Sequence, residues 1–202
     1  MPPMEIDGFI LHPGALTPDA QSILVEAVLA AAEIAPFYAP LTPWGKPMSV
    51  QQTSLGPLGW VTDKSGYRYA DRHPVTGRPW PPMPQSLLDL WARYADPERP
   101  PDSCLVNLYR GEARMGLHTD SDEADLGAPV LGISLGDTAV FRLGGPGRKD
   151  PTRSVRLASG DINLLTGAAR RAHHGVDRIL AGSSRLIPGG GRINLTLRRA
   201  RR

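Results

Sequence analysis

The stretch Asn107-Leu-Tyr109-Arg-Gly-Glu-Ala-Arg-Met-Gly-Leu-His118-Thr-Asp120-Ser-Asp122 decides how the rest of the chain is read. A short apolar run leads, through a Gly-containing turn, into His-x-Asp. On an extended backbone, residues i and i+2 point to the same face. One imidazole and one carboxylate two residues apart can therefore reach a single metal ion. The pair asks the remaining sequence for a third ligand and for a frame of short strands to hold it.

Outward from this stretch the strand pattern continues. Apolar segments run over Cys104–Tyr109, Met115–His118, Val130–Leu135, Ala139–Leu143, Ser154–Leu157, Asp161–Leu165 and Arg192–Leu197. Turns such as Gly144-Gly145-Pro146-Gly147 and Ser159-Gly160-Asp161 separate them. Many short strands in one domain argue for a sandwich or rolled-up barrel. Before them, Thr17-Pro18 makes a helix start, and Ile23, Leu24, Ala27, Val28, Ala31 and Ala32 recur at helical spacing up to Pro36. A second helix follows Pro84, with Leu87, Leu88, Trp91 and Tyr94 on one face. Both helices are expected to cover a sheet.

The 22 glycines and 21 prolines fit a turn-rich chain. Its 202 residues suffice for one domain with a real core. The expected division places the helices and a lid in residues 1–102 and the strand core in residues 103–202. The single cysteine, Cys104, excludes an internal disulfide and reads as a small apolar residue on a buried strand. No signal peptide or bilayer-spanning apolar run is visible, so the expectation is a cytoplasmic protein without a membrane partner. Net charge is only +3, with Arg198, Arg199, Arg201 and Arg202 crowding the end. Beyond Arg198 these arginines read as a solvated or nucleic-acid-facing tail.

Between the helices, Phe37, Tyr38, Trp44, Trp60, Tyr67, Tyr69 and Trp80 punctuate a loop-rich piece. Met48–Ser54 reads as a strand. Gly59–Tyr69 reads as a hairpin turning near Asp63 to Gly66. Its aromatics either anchor the segment or offer a stacking surface for a flat ligand.

The third ligand comes from His173 or His174. Two histidines and one carboxylate form a facial set that leaves positions open on an octahedral ion and suits non-haem Fe(II); zinc is the rival. Asp122, Glu123 and Asp125 read mainly as a solvated loop. In Arg192-Ile-Asn194-Leu-Thr196-Leu-Arg198, alternation puts two arginines, an amide and a hydroxyl on one face. Facing a barrel interior, those arginines would need an anion, and a small diacid suits them. Facing outward, they would be a basic surface.

Together these pieces resemble the AlkB family of Fe(II)/2-oxoglutarate-dependent dioxygenases. The resemblance rests on Asn107-Leu-Tyr109, Leu117-His118-Thr-Asp120-Ser-Asp122-Glu123, Gly144-Gly145 with Arg148 and Asp150-Pro151, His174-Gly175, and the Arg192–Arg198 strand. Gly59-Trp60, Gly66-Tyr67 and Pro79–Pro84 extend it, so it spans most of residues 48–200. It implies a mainly β double-stranded β-helix, or jelly roll, with outer helices and an N-terminal nucleotide-recognition lid. It implies Fe(II) on His118, Asp120 and His174, and 2-oxoglutarate contacts at Asn107, Tyr109, Arg192, Asn194 and Arg198. Trp60, Tyr67, Asp122 and Arg148 match positions used around the damaged nucleotide. The expected activity is O2-dependent demethylation of bases such as 1-methyladenine and 3-methylcytosine, releasing formaldehyde and succinate. The expected partner is methylated single-stranded or locally opened DNA, or RNA, met by a monomer. The alternatives are the same chemistry on modified RNA or a protein side chain, and a non-catalytic nucleic-acid-binding module. Gly-Ala-Ala-Arg-Arg-Ala before His173 and the absence of tryptophan in Asp161–Leu165 depart from the family pattern, and bear on the base pocket.

Overall fold

The computed structural model describes residues 2–201; Arg202, assigned above to the tail, lies outside them. Thirteen strands and two α-helices occur among these residues. In chain order they are β1 (Met4–Ile6), β2 (Phe9–His12), α1 (Pro18–Ile34), β3 (Gln51–Leu55), β4 (Gly59–Asp63), β5 (Gly66–Ala70), α2 (Gln85–Tyr94), β6 (Ser103–Tyr109), β7 (Met115–His118), β8 (Val130–Gly136), β9 (Thr138–Leu143), β10 (Arg153–Leu157), β11 (Ile162–Leu165), β12 (His174–Leu180) and β13 (Arg192–Arg198). A 3-10 turn over Gly167–Arg171 precedes β12.

While β4 and β5 pair only with each other as a hairpin, the other eleven strands form a seven-stranded sheet in the order β1-β2-β11-β8-β13-β6-β3 and a four-stranded sheet in the order β10-β9-β12-β7. From β6 onward the chain alternates between the two, apart from the β9–β10 hairpin. Every pairing within them is antiparallel. This winding is a double-stranded β-helix, the jelly roll anticipated from the sequence. The larger sheet takes β1, β2 and β3 from before residue 103, so its hydrogen bonding crosses the division drawn there.

Period two decides what each strand shows to which layer. On β13, Ile193, Leu195 and Leu197 join Val106 and Leu108 of β6 and Leu131, Ile133 and Leu135 of β8 in a core facing the helices. Leu24, Val25 and Val28 of α1 and Leu87 and Trp91 of α2 complete it. The opposite faces of these strands look toward the smaller sheet. Helix α1 begins as the sequence indicates: Thr17 accepts a hydrogen bond from the Ala20 N–H at 3.2 Å, and Pro18 opens the first turn. Trp91 is 1% exposed, and its indole N–H donates to the Arg99 carbonyl at 2.8 Å. Its polar tip is thereby satisfied inside the core.

Sequence reading missed two features. The β1–β2 hairpin, which adds an edge to the large sheet, has no counterpart among the strands expected from the sequence. Strand β12 was not identified at all, because His174-Gly175-Val176-Asp177-Arg178-Ile179-Leu180 lacks clean alternation. Its register also shifts between Val176 and Arg178. The tail differs from expectation as well. Arg199 is buried, forming ion pairs with Asp125 and with Asp96 at 3.5 Å. The Ala200 and Arg201 amides donate to the Asp102 carboxylate. No helix is long and apolar enough to cross a membrane among the described residues.

Candidate metal centre and its cavity

Between the two sheets lies a cavity of about 430 Å³. At one side β7 and β12 bring three ligating groups together. His118 ends β7, and His174, the first residue of β12, is its direct cross-strand partner. Asp120 follows His118 by two residues. The ligand atoms of His118, Asp120 and His174 all lie within 4.8 Å of one another. Gly175 permits this approach: a Cβ there would lie 2.6 Å from the Met115 carbonyl oxygen, so β12 and β7 could not close with a side chain between them.

The hydrogen bonds of the two imidazoles define their lone pairs. Nδ1 of His118 lies 2.9 Å from the Gly116 carbonyl, and Nδ1 of His174 lies 3.0 Å from that of Ala172. A carbonyl only accepts, so Nδ1–H is the donor in both and Nε2 is left bare. These Nε2 atoms sit 3.7 and 3.8 Å from the Asp120 oxygens. That is too long for a hydrogen bond, but close enough for the three groups to share one metal ion. Burial lowers the His174 pKa to about 4, against the opposing pull of Asp120. It is a neutral ligand at physiological pH. Burial alone would raise the Asp120 carboxyl; Arg198, His174, His118 and Arg170 outweigh it and hold the group below the usual carboxylate range.

Asp120 is held from behind. Arg198 donates to its Oδ1 at 2.8 Å and forms an ion pair with Glu123 at 3.4 Å. Glu123 accepts from Arg170 at 2.8 Å and from the Tyr69 hydroxyl at 2.5 Å. Arg170 also donates to the Ala128 carbonyl at 2.9 Å and to the backbone carbonyl of Asp120. Glu123 is therefore no part of a solvated loop: it is 7% exposed, and Arg170 is 2% exposed. Two cations around two carboxylates leave this cluster locally balanced. Sequence reading missed Glu123, Arg170 and Tyr69. The only available signal was an acidic residue three positions after Asp120; nothing local to Gly167–Ala172 announced that one of its two arginines turns inward.

The face of β13 that carries Arg192, Asn194, Thr196 and Arg198 lines the cavity, not the outer surface. The two arginines differ in their surroundings. Arg198 is matched by Asp120 and Glu123. Arg192 is fully buried and donates to the Leu157 carbonyl at 3.1 Å and the Ser134 hydroxyl at 2.8 Å. The Nε of each arginine lacks a hydrogen-bond partner, but only Arg198 forms ion pairs with carboxylates among the described residues. Burial lowers the Arg192 pKa to about 10, so it stays charged. Asn107 accepts from Gln52 at 2.8 Å, which leaves its own NH2 as a donor. Burial pushes the Tyr109 phenol up to about 12. These groups fit a small diacid.

Trp60, Tyr67, Asp122 and Arg148 line the same cavity. Trp60 and Tyr67 stack on each other, with ring centroids 5.4 Å apart and planes 17° from parallel. The Trp60 indole N–H donates to Asp122 at 2.7 Å. His173, left open as the alternative ligand, lies on the cavity wall outside the triad.

A jelly roll with two histidines and a carboxylate gathered from adjacent strands is the arrangement of the Fe(II)- and 2-oxoglutarate-dependent oxygenases as a class. Comparison with known proteins agrees: the 2OG-Fe(II) oxygenase superfamily matches residues 8–198. The chain is 70% identical over 196 residues to an alpha-ketoglutarate-dependent dioxygenase AlkB homolog of Caulobacter vibrioides, covering 97% of this chain and 89% of that one. It is 40% identical over 186 residues to the alpha-ketoglutarate-dependent dioxygenase AlkB of Escherichia coli, covering 90% and 86%. The solved structure of OsALKBH1 superposes with a TM-score of 0.81 at 29% identity, over 98% of this chain and all of that one. The chain belongs to the 2OG-Fe(II) oxygenase superfamily and, within it, to the AlkB family. It is an Fe(II)- and 2-oxoglutarate-dependent dioxygenase using O2.

Proposed function

We propose that this enzyme oxidatively demethylates N-alkylated bases, such as 1-methyladenine and 3-methylcytosine, in unpaired or locally opened DNA. The observation that carries this reading is the junction of two sites in one cavity. A metal triad and a diacid-binding strand lie at its depth, and an aromatic pair with an acidic partner lies at its mouth. His118, Asp120 and His174 would hold Fe(II). When bound, Fe(II) with 2-oxoglutarate and O2 supplies hydroxylation of an N-methyl carbon, giving succinate, CO2 and, as the hydroxymethyl group is lost, formaldehyde.

The protein's own residues do the positioning. Arg192, with no carboxylate of its own, takes the distal carboxylate of 2-oxoglutarate, aided by donors on Asn107, Tyr109 and Asn194. Arg198 stays beside the metal through Asp120, and fixes the chelating end. Trp60 and Tyr67 offer aromatic faces to the base, worth roughly 1–3 kcal/mol per stacked base. A base methylated at these positions carries positive charge. The ring faces and the Asp122 carboxylate favour it over the unmodified base. Arg148 at the rim meets a phosphate or a base edge. The target base leaves its duplex stack to reach the triad, so an unpaired strand is the preferred form. One chain supplies all of these groups, so the monomer is the working unit, with residues 1–102 contributing the lid.

The test is formaldehyde release from methylated single-stranded DNA, methylated duplex DNA and methylated RNA, each with and without 2-oxoglutarate. Release from single-stranded DNA that requires 2-oxoglutarate supports the reading. Release from RNA alone would move the substrate to RNA. Succinate formation with none of these substrates would sink base demethylation.

A further inference from the structure

Strand β11 carries one polar side chain, Asn163, between Ile162 and Leu164. It does not face solvent. Asn163 is 7% exposed, and what exposure it has is to the cavity. Its neighbours on that wall include Val130, Phe141, Leu157 and Leu165. Among the described residues its amide makes no hydrogen bond. The amide therefore offers the cavity a donor that no described residue takes up, on an otherwise apolar stretch of wall.

A second observation shows that space is made for this group. Asn163 is the cross-strand partner of Gly132 on β8. A Cβ on Gly132 would lie 2.5 Å from the Asn163 side-chain oxygen and 3.0 Å from both the amide carbon and nitrogen. The amide therefore lies flat across the glycine, in the volume a β8 side chain would fill. Gly132 in turn pairs with Thr196 on β13. The next inward-facing residue of β8 is Ser134, whose hydroxyl holds Arg192 at 2.8 Å. One such step is about 6.6 Å. Through Gly132, Asn163 thus lies level with Thr196, between the levels of Arg192 and Arg198 along β13.

We infer that Asn163 is a further 2-oxoglutarate-binding residue: its amide N–H donates to a carboxylate oxygen of the bound cosubstrate, and Gly132 is the cradle that lets it reach. The inference rests on the reading of this cavity as the 2-oxoglutarate site. It accounts for both oddities at once, the unpaired amide and the missing side chain beside it.

Binding is measured apart from turnover. Fe(II)-loaded protein is titrated anaerobically with 2-oxoglutarate, following the visible absorption of the metal–2-oxoglutarate chelate. A hydrogen bond to a charged group corresponds to roughly ten-fold or more in affinity. Asn163→Val is expected to raise the 2-oxoglutarate Kd by about that factor, while the unliganded variant unfolds at a temperature no lower than wild type. Gly132→Ala keeps the asparagine and displaces its amide; it too should weaken 2-oxoglutarate binding, and it serves if the valine variant does not fold. Kd values within two-fold of wild type in the folded variants overturn the inference. If wild-type protein shows no absorption change on adding 2-oxoglutarate, the reading of the cavity itself fails and takes this inference with it. A normal wild-type titration with normal variants condemns Asn163 alone.

Discussion

At the scale of single residues, the centre depends on charges that cancel only as a group. Asp120 ligates and also neutralises Arg198. Asp120→Ala should therefore abolish Fe(II)-dependent succinate formation and lower Fe(II) affinity at least a hundred-fold, as read by titration of the metal-free protein. Near-wild-type turnover would show the metal to be elsewhere. Arg170 carries a different kind of load. It touches the Asp120 backbone and Glu123, and removing one member of a buried pair costs about 3–5 kcal/mol because the other charge is stranded. Arg170→Met should lower urea stability by about that amount. Adding Glu123→Gln should cost less than the sum of the two single changes, since they share one interaction. Strict additivity in that cycle would mean the pair is not coupled. The motif His-x-Asp and the alternation of Arg192 to Arg198 were legible in sequence because their spacing is local. Glu123, Arg170 and Asn163 were not: each acquires its role from a partner dozens of residues away.

At the scale of elements, two strand pairs set the chemistry. The β7–β12 pair determines the distance between His118 and His174. Gly175→Ala would place a methyl against the Met115 and Gly116 carbonyls, at 2.6 and 2.8 Å. It should weaken Fe(II) binding while circular dichroism still reports a folded β protein; unchanged metal affinity would show that the strands can absorb the methyl. The β4–β5 hairpin sets the mouth. Its turn was readable from Asp63 to Gly66, and Asp63 does organise it, bonding the Ser65 amide at 2.8 Å and pairing with Arg68 at 2.7 Å. Trp60→Ala should raise KM for a methylated oligonucleotide roughly five-fold or more, the lower end of one lost stacking contact. 2-Oxoglutarate consumption without nucleic acid should persist in that variant. Loss of both together would place Trp60 in the core of the fold and not at the substrate. The strand that carries His174 escaped the sequence reading because its bulge breaks the period-two pattern, even though the histidine itself was identified.

At the scale of the whole molecule, apolar side chains of the sheets and helices make up the cores, and the metal-ligating groups and the polar face of β13 line the cavity between the sheets. Removing the metal should therefore leave a folded protein. Ligands that bind only the native state stabilise it by mass action, about 2.7 kcal/mol at a hundred-fold excess over Kd. For a domain of this size that is a rise of roughly 5–10 °C in Tm. Mn(II) with 2-oxoglutarate should raise Tm by about this much over chelator-treated protein in a thermal melt. Collapse of the fold on chelation would show the metal to be structural. The sequence by itself determined the order of short strands, both helices, the His-x-Asp pair and the polar face of β13, because each depends on spacing along one segment. Only the tertiary structure decided that this face lines a cavity, that Arg198 is already matched while Arg192 is not, and that Glu123 and Arg170 are interior. Those outcomes depend on which strands become neighbours across the two sheets, and winding the chain between layers joins residues that no local pattern connects.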